Sequence, residues 1–589
     1  MSRKKKDGVR GAGPPGWVPF ALFLFAFVLR LLFWQATPDR SWAYSAYYQG
    51  DALVWLEYAA ALRNDLPFAQ DLPLRPPGNA YLVAMLWDGT QGGLSWLKLA
   101  WCLMGALSVP FLYKAARDAF GYPAALAVGL ATAAASPLLI FATSINNETP
   151  YLFLVSLLLA TFHRNGLSPS LPRLAGWGLL NALACLFRAE HLLFFLLATA
   201  ALLFSSWRHD RIGTTPRRIG KRLGVIAATA VLALLPWHLA AWSAARDWNR
   251  REPALPPDTE QAMAGFERQL SFLAWDAEAK AQEAALPAFI RRTMANFVAA
   301  TVAWRGGREV RGTDFEILDQ AFGSRPEPVS EFPLIALYGG LNFHLANPGD
   351  GSGGFSRAAL EAKPPLEGGA ERYPPVLVGG LPPNDLALTY PPHLEAVNRG
   401  YSLGFGWIAD HPAAAAALVA RKAAIFWSGA APGLGGFNLP LGLSGERRKV
   451  DLVVPRGALA TGYKLVLLGF CLFGIYLNRR RLEAAGFFIL LFTQLVASLA
   501  FFGYARLGGL AIPAVAAFAA CGVAALPWRF ATLKEKRLTR FALAAGFALL
   551  VAEVLRTVDS PLPHLDGVST AQGDPFDPDV HEIRRLELR

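Results

Sequence analysis

The sequence predicts an all-α polytopic membrane protein with a mixed polar module on one face. Three observations predict it. Only 17% of the 589 residues are charged and 53% are hydrophobic, with mean hydropathy +0.30, whereas a soluble chain carries about 25% charged residues. Apolar runs near the ~20 residues that cross a bilayer recur along the chain. Lysine and arginine gather in alternate short loops between those runs, as the positive-inside rule requires.

About eleven transmembrane helices are expected on that length criterion, near residues 16–35, 94–113, 123–143, 149–163, 174–188, 190–206, 222–244, 463–478, 483–502, 508–527 and 540–557. The pair around Arg188 also reads as one long helix. Lys4 to Lys6, Lys114, Arg117, Arg164, Arg173, Arg208 to Arg222, Arg479 to Arg481 and Arg529 to Arg540 fall on one side. That side is expected to be cytoplasmic, which leaves 36–93, 144–149, 245–462 and the tail after 558 facing outward. Residues 412–429 are apolar enough to span, but Arg421 and Lys422 would each cost about 2.5–3.5 kcal/mol at the bilayer centre. They are expected instead as an outer interfacial helix, with both cations turned toward lipid headgroups or a bound phosphate. The expected organisation is a transmembrane module 1–245 with a catalytic first outer loop, a periplasmic loop module 246–411, an interfacial helix 412–430, C-terminal transmembrane helices 431–557 and an outer tail 558–589.

The formal charge of +12 lies largely in the short loops, which argues against nucleic-acid binding. Cys102, Cys185, Cys471 and Cys521 all lie in apolar runs and read as small hydrophobes, not disulfides or metal ligands. Met1 to Arg10 is basic, but the run from Trp17 to Trp34 is long enough to remain as a span.

The first outer loop concentrates groups that are costly at a lipid surface without a task. It runs from Tyr47-Tyr48-Gln49-Gly50-Asp51 through Leu74-Arg75-Pro76-Pro77 to Tyr81. Asp51 opens a stretch of helical periodicity, which suits a general base and equally an N-cap. Glu148, in the short turn Ser144 to Tyr151, reads as a second acid in the same cavity or as another cap. Arg188, Glu190 and His191 lie near an outer boundary. Arg188 fits a phosphate through its planar fork and fits equally an ion pair with Glu190. Gly503 to Leu507 reads as a tight turn whose Arg506 reaches the headgroup zone. No phosphate-binding glycine loop, dinucleotide fingerprint, zinc spacing or nucleophile elbow occurs. A lipid-borne donor therefore fits an outward site better than a cytosolic nucleotide.

In order, these pieces resemble the membrane glycosyltransferases of the GT-C fold, in particular the bacterial protein-mannosyltransferase and aminoarabinose-transferase group (glycosyltransferase family 39-like). The resemblance rests on Asp51, Tyr58-Ala59-Ala60 and Arg75-Pro76-Pro77, then Glu148 with Tyr151, and a glycine-rich span ending in Arg188. It continues through Gly339-Gly340-Leu341-Asn342-Phe343 with Gly353-Gly354, His411-Pro412, Lys422, Phe426-Trp427, and Tyr504, Arg506 and Pro513. It covers most of residues 17–525.

The resemblance implies transfer of a sugar from a polyprenyl-phosphate carrier to a lipid, glycan or protein acceptor, on the periplasmic face of a bacterial inner membrane and with inversion. Asp51 and Glu148 would be the catalytic acids. Arg75, Arg188, Lys422 and Arg506 would hold the donor phosphate. Tyr58, Tyr81, His191, Asn342 and Tyr504 would line the substrates. The resemblance requires no cofactor and allows a divalent cation, although Ala52 stands where the group carries a second acid. The competing readings are a lipid-linked glycan polymerase or ligase, a membrane transporter, and a non-catalytic assembly subunit.

Overall fold

The computed structural model describes residues 16–36, 43–45, 48, 50–63, 72–167, 169–209, 215–250, 328–331, 335–347, 351, 353–354, 391–431, 437–440, 449–452 and 458–525. The expected span 540–557, the tail after 558 and most of the 246–411 module lie outside them. The chain divides into two compact units. One comprises 1–69, 76–237 and 419–589; the other comprises 70–75 and 238–418.

The first unit is a helical bundle. Its N-terminal elements are α1 (Val18–Ala36), α2 (Ala52–Arg63), α3 (Gly78–Leu86), α4 (Gln91–Phe120), α5 (Tyr122–Ala134) and α6 (Ser136–Ala142). They continue in α7 (Glu148–Leu167), α8 (Leu171–Phe187), α9 (His191–His209) and α10 (Pro216–Arg250), whose residues from His238 onward belong to the second unit. In the second unit the helices are α11 (Tyr338–Ala346) and α12 (Pro391–Asp410), and α13 (Pro412–Ala430) follows. A two-stranded antiparallel ladder pairs β1 (Phe437–Pro440) with β2 (Lys449–Leu452). The bundle closes with α14 (Ala458–Asn478), α15 (Ala485–Ala500) and α16 (Ala505–Ala524).

Seven of the described helices are long and apolar enough to cross a bilayer, or up to nine if two bent pairs each count as one span. At 17 residues, α8 is a shorter apolar helix. The expected span 123–143 is one of the bent pairs, turned by 53° between α5 and α6. Its cause is local. Pro137 has no N–H for the carbonyl of Ala133 four residues earlier, so the helical ladder fails there. Arg30 of α1, 1% exposed, supplies the missing donors. Its Nη1 donates to the oxygen of Ala133 at 3.2 Å and its Nη2 to that of Thr132 at 3.1 Å. Inside a membrane an unsatisfied carbonyl costs several kcal/mol, so the buried charge and the broken helix satisfy each other.

The bundle also relies on small residues for close approach. A Cβ on Gly429 of α13 would strike the backbone of Ala505, and one on Gly508 of α16 would strike that of Phe426. The expected spans 174–188 and 190–206 are separate helices, α8 and α9, parted at Arg188 to Glu190. Two expectations change here. The expected turn Gly503 to Leu507 is already helical from Ala505, which places Arg506 in the first turn of α16. Arg421 and Lys422 do not face the same surroundings: Arg421 is exposed and Lys422 is buried, because neighbours on a helix point about 100° apart.

In the second unit Pro73 and Leu74 hold the start of α11. The amides of Leu337 and Tyr338 donate to the oxygens of Pro73 and Leu74 at 3.1 and 3.0 Å. Phe343 of α11 packs on Tyr401 and Phe405 of α12, with ring centroids 5.4 and 4.7 Å apart. Asn249 and Val329 exchange two hydrogen bonds, of 2.8 and 3.0 Å.

Candidate active site

The site lies in the first unit, where a loop, a turn and two helix starts converge. The loop preceding α2 is clamped by the turn 143–147. Ile145 N–H donates to Ala43 O at 2.9 Å, and Ser144 Oγ donates to Tyr48 O at 3.2 Å. Asn146 Oδ1 accepts from the amide of Asp51 at 2.9 Å, while Trp101 Nε1 holds the oxygen of Asn146 at 2.8 Å. Asn147 Nδ2 ties the same turn to the end of α8, through Phe187 O at 3.1 Å. Gly50 makes the approach work: its φ is +58°, and a Cβ there would meet the Tyr48 ring at 2.6 Å and Asn146 Nδ2 at 2.9 Å. Only glycine adopts that backbone without steric cost.

Asp51 sits at the N-cap of α2, its carbonyl accepting from Trp55 N–H at 3.0 Å. Glu148 is the first residue of α7, where the helix N-terminus favours a carboxylate. Arg506, 455 residues beyond Asp51 in the chain, joins the two. Its Nη1 donates to Tyr48 Oη at 2.9 Å and lies 3.5 Å from Asp51 Oδ2 and 3.6 Å from Glu148 Oε1. Its guanidinium stands 4.1 Å above the ring of Tyr504. The Tyr48 hydroxyl donates to Glu148 Oε1 at 3.3 Å. Burial raises the pKa of that phenol, with the charge of Arg506 opposing, so Tyr48 stays a neutral donor. On the other side, Arg188 Nη1 reaches Glu148 Oε1 at 3.4 Å and Arg188 Nε reaches Glu190 Oε1 at 2.5 Å. Burial works against the charge of Arg188, but Glu190 and then Glu148 more than offset it and hold its pKa raised.

The result is a line of alternating charge: Asp51, Arg506, Glu148, Arg188, Glu190. Its end carboxylates are the accessible ones, Asp51 at 27% and Glu190 at 26%, while Glu148 at its centre is fully buried. Glu148 Oε2 and Arg506 Nε have no hydrogen-bond partner among the described residues. Buried polar atoms are rarely left that way, so the centre of the line retains hydrogen-bonding capacity for a further group.

Beneath the line, His191 is fully buried. Asn181 Nδ2 donates to Trp177 O at 2.8 Å, which turns Asn181 Oδ1 toward His191 Nε2 at 3.1 Å. The imidazole proton therefore belongs on Nε2. Nδ1 then accepts from Tyr151 Oη at 3.0 Å, and that oxygen accepts from Gln494 Nε2 at 3.2 Å. This relay joins α7, α8, α9 and α15 under Arg188, whose guanidinium lies 5.7 Å from the Tyr151 ring centroid.

Of the residues singled out from sequence, Asp51, Glu148, Arg188, Arg506 and Tyr504 come together. His191 adjoins them as a buried packing and relay residue. Tyr58 is buried with Trp55 and Ala80 between α2 and α3, and Tyr81 is exposed on α3. Lys422 donates from Nζ to the oxygen of Leu499 at 3.3 Å, in the last turn of α15, where a cation suits the helix end. Arg75 and Asn342 belong to the second unit, where the Arg75 guanidinium lies 5.2 Å over the ring of Tyr338. Sequence reasoning did not single out Tyr48 as a hub; its position three residues before Asp51 was the available signal.

Among the described residues no group of three or more His, Cys, Asp or Glu side chains is placed to hold a metal ion. Asp51 and Glu148 do not fit a divalent cation as arranged, because the positive Arg506 guanidinium already faces both carboxylates, at 3.5 and 3.6 Å.

Residues 75–238 match the family described as dolichyl-phosphate-mannose-protein mannosyltransferase. No curated protein matches the chain. Among solved structures, the chain is similar to the archaeal oligosaccharyltransferase AglB from Archaeoglobus fulgidus in complex with an inhibitory peptide and a dolichol-phosphate, at 12% identity and TM-score 0.41. That alignment covers 92% of this chain and 55% of the other. The apo form of the Archaeoglobus fulgidus oligosaccharyltransferase aligns at 12% identity and TM-score 0.35, covering 92% of this chain and 56% of that one. This chain thus spans about half the length of either structure. The family match runs from the segment before α3 into α10 and takes in Glu148, Arg188 and Glu190 of the charged line.

Proposed function

We propose that the protein moves a sugar from a polyprenyl-phosphate carrier to a lipid, glycan or protein acceptor at the outer face of a bacterial inner membrane. The observation that carries this reading is the line of alternating charge with an accessible carboxylate, Asp51, at one end. Asp51 takes the proton of the acceptor hydroxyl or amine as that atom bonds to the anomeric carbon. The bond from the anomeric carbon to the phosphate oxygen breaks, and the carrier leaves as a phosphate. Arg188 and Arg506 hold that phosphate and stabilise its growing charge. Direct displacement inverts the anomeric centre. Glu148 keeps the two guanidiniums in place and offers its second oxygen to the bound substrates. Lys422, buried against a carbonyl, takes no part in this reading. The matched family's dolichyl-phosphate-mannose donor supports the choice of carrier.

Purified protein incubated with a polyprenyl-phosphate sugar pool and envelope acceptors, followed by mass spectrometry, tests the proposal. The expected result is release of sugar-free polyprenyl phosphate together with a glycosylated product of inverted configuration. A polymerised glycan would favour the polymerase reading, and an unconsumed donor pool would sink both.

A further inference from the structure

We propose that Glu190 occupies, in the empty protein, the place that the donor phosphate takes on Arg188. This rests on the reading that Arg188 binds the carrier phosphate. Arg188 has two carboxylate partners of very different kinds. Glu148 is fully buried, and its Oε1 is shared between Tyr48, Arg188 and Arg506. It cannot leave without uncovering two guanidiniums. Glu190 is 26% exposed and reaches Arg188 Nε at 2.5 Å. Its carboxylate has no other partner among the described residues.

Its setting allows it to leave. Glu190 lies in the three-residue joint between α8 and α9. The joint's backbone is fixed independently, with His191 N–H on Arg188 O at 3.0 Å and Leu193 N–H on Glu190 O at 3.2 Å. Rotation of the Glu190 side chain alone therefore frees Nε and sends the carboxylate into water. Arg188 cannot make the complementary move, since its side chain is 7% exposed.

Charge supports the exchange. The line holds three carboxylates and two guanidiniums, so it is one negative charge in excess. A phosphate added to that set would meet net repulsion. One that replaces Glu190 keeps Arg188 paired at every stage, and a buried arginine left without its partner is strongly unfavourable. Glu190 thus keeps the guanidinium extended and paired while no donor is present, and it lowers the apparent donor affinity by competing for the same nitrogen.

Binding of farnesyl phosphate, a short polyprenyl monophosphate, to the purified full chain tests this. Wild type, Glu190→Gln, Glu190→Asp and Arg188→Gln are compared by titration calorimetry, each after a melt without ligand. A neutral amide competes less well than a carboxylate for a guanidinium, so Glu190→Gln should tighten binding about tenfold. Glu190→Asp keeps the charge but shortens the reach, and should tighten it by a smaller factor. A purely structural ion pair predicts the opposite, because Arg188 would lose its orientation and both variants would bind more weakly. Weaker or unchanged binding in both Glu190 variants, with Arg188→Gln also weakened, overturns the placeholder and leaves the Arg188 reading standing. Unchanged binding in Arg188→Gln removes the phosphate from Arg188 and the placeholder with it.

Discussion

Arg30 and Arg188 are both buried arginines in the same bundle, but their partners differ in kind. Arg30 gives its hydrogen bonds to the carbonyls of Ala26, Thr132 and Ala133. Those oxygens belong to the fold, and two of them are left over by the break before Pro137. Arg188 is paired instead with two carboxylates, one of them accessible. An arginine on carbonyls completes the backbone accounting of a helix end. An arginine on carboxylates, next to a buried oxygen with no hydrogen-bond partner among the described residues, keeps charge available for exchange. The contrast teaches that burial alone does not mark a functional cation in a membrane; the chemistry of its partner does.

That contrast can be broken at several points. The largest effect is expected at Asp51, the open end of the charged line. Asp51→Asn should lower turnover by about 100- to 10,000-fold. Asparagine caps a helix about as well as aspartate, so the detergent melt should stay near that of wild type. Turnover within tenfold of wild type would take the base role away from Asp51.

Arg30→Met should do the reverse. It orphans the oxygens of Thr132 and Ala133, at about 1–3 kcal/mol for each buried group left unsatisfied. A lowered melting temperature is expected, with the specific activity of the folded fraction retained. An unchanged melt with lost activity would place Arg30 on the functional side and dissolve the contrast.

Arg506→Lys keeps the charge between Asp51 and Glu148 but loses the planar fork and its stacking on Tyr504. Hydrogen bonds to charged groups contribute about 1.5–3 kcal/mol, so a roughly 10- to 100-fold loss of kcat is expected, at 1.36 kcal/mol per decade. Wild-type kinetics in this variant would show that a point charge suffices there.

The smallest change is expected for Tyr48→Phe, which removes one neutral hydroxyl from Arg506 and Glu148. About 1 kcal/mol of stability and less than a tenfold change in turnover should follow, read from the melt and the transfer assay together. A hundredfold loss would raise Tyr48 from support to chemistry.

Much of the fold was legible because transmembrane helices announce themselves one at a time. Each satisfies its own backbone and needs only about 20 apolar residues, so α1, α9, α14 and α15 lie close to where hydropathy places them. Asp51, Glu148, Arg188 and Arg506 were legible as costly groups near span ends. The bend between α5 and α6 was visible in part through Pro137, but the arginine that completes it lies about 100 residues earlier, in a run that reads as uniformly apolar.

The amino-acid sequence by itself determined the helical membrane class and the set of polar residues placed near the ends of apolar runs, because those depend on local composition. Only the tertiary structure decided which of them meet. Arg506 reaches Tyr48 across 458 positions, and no local periodicity encodes such a pairing. Tertiary structure also separated Arg421 from Lys422, since a helix turns neighbouring side chains about 100° apart and packing then covers one of them. The pairing of Arg188 with Glu148 arises in the same way, from the end of α8 and the start of α7 brought together by packing, whereas its pairing with Glu190, two residues on, is local and was legible in the sequence.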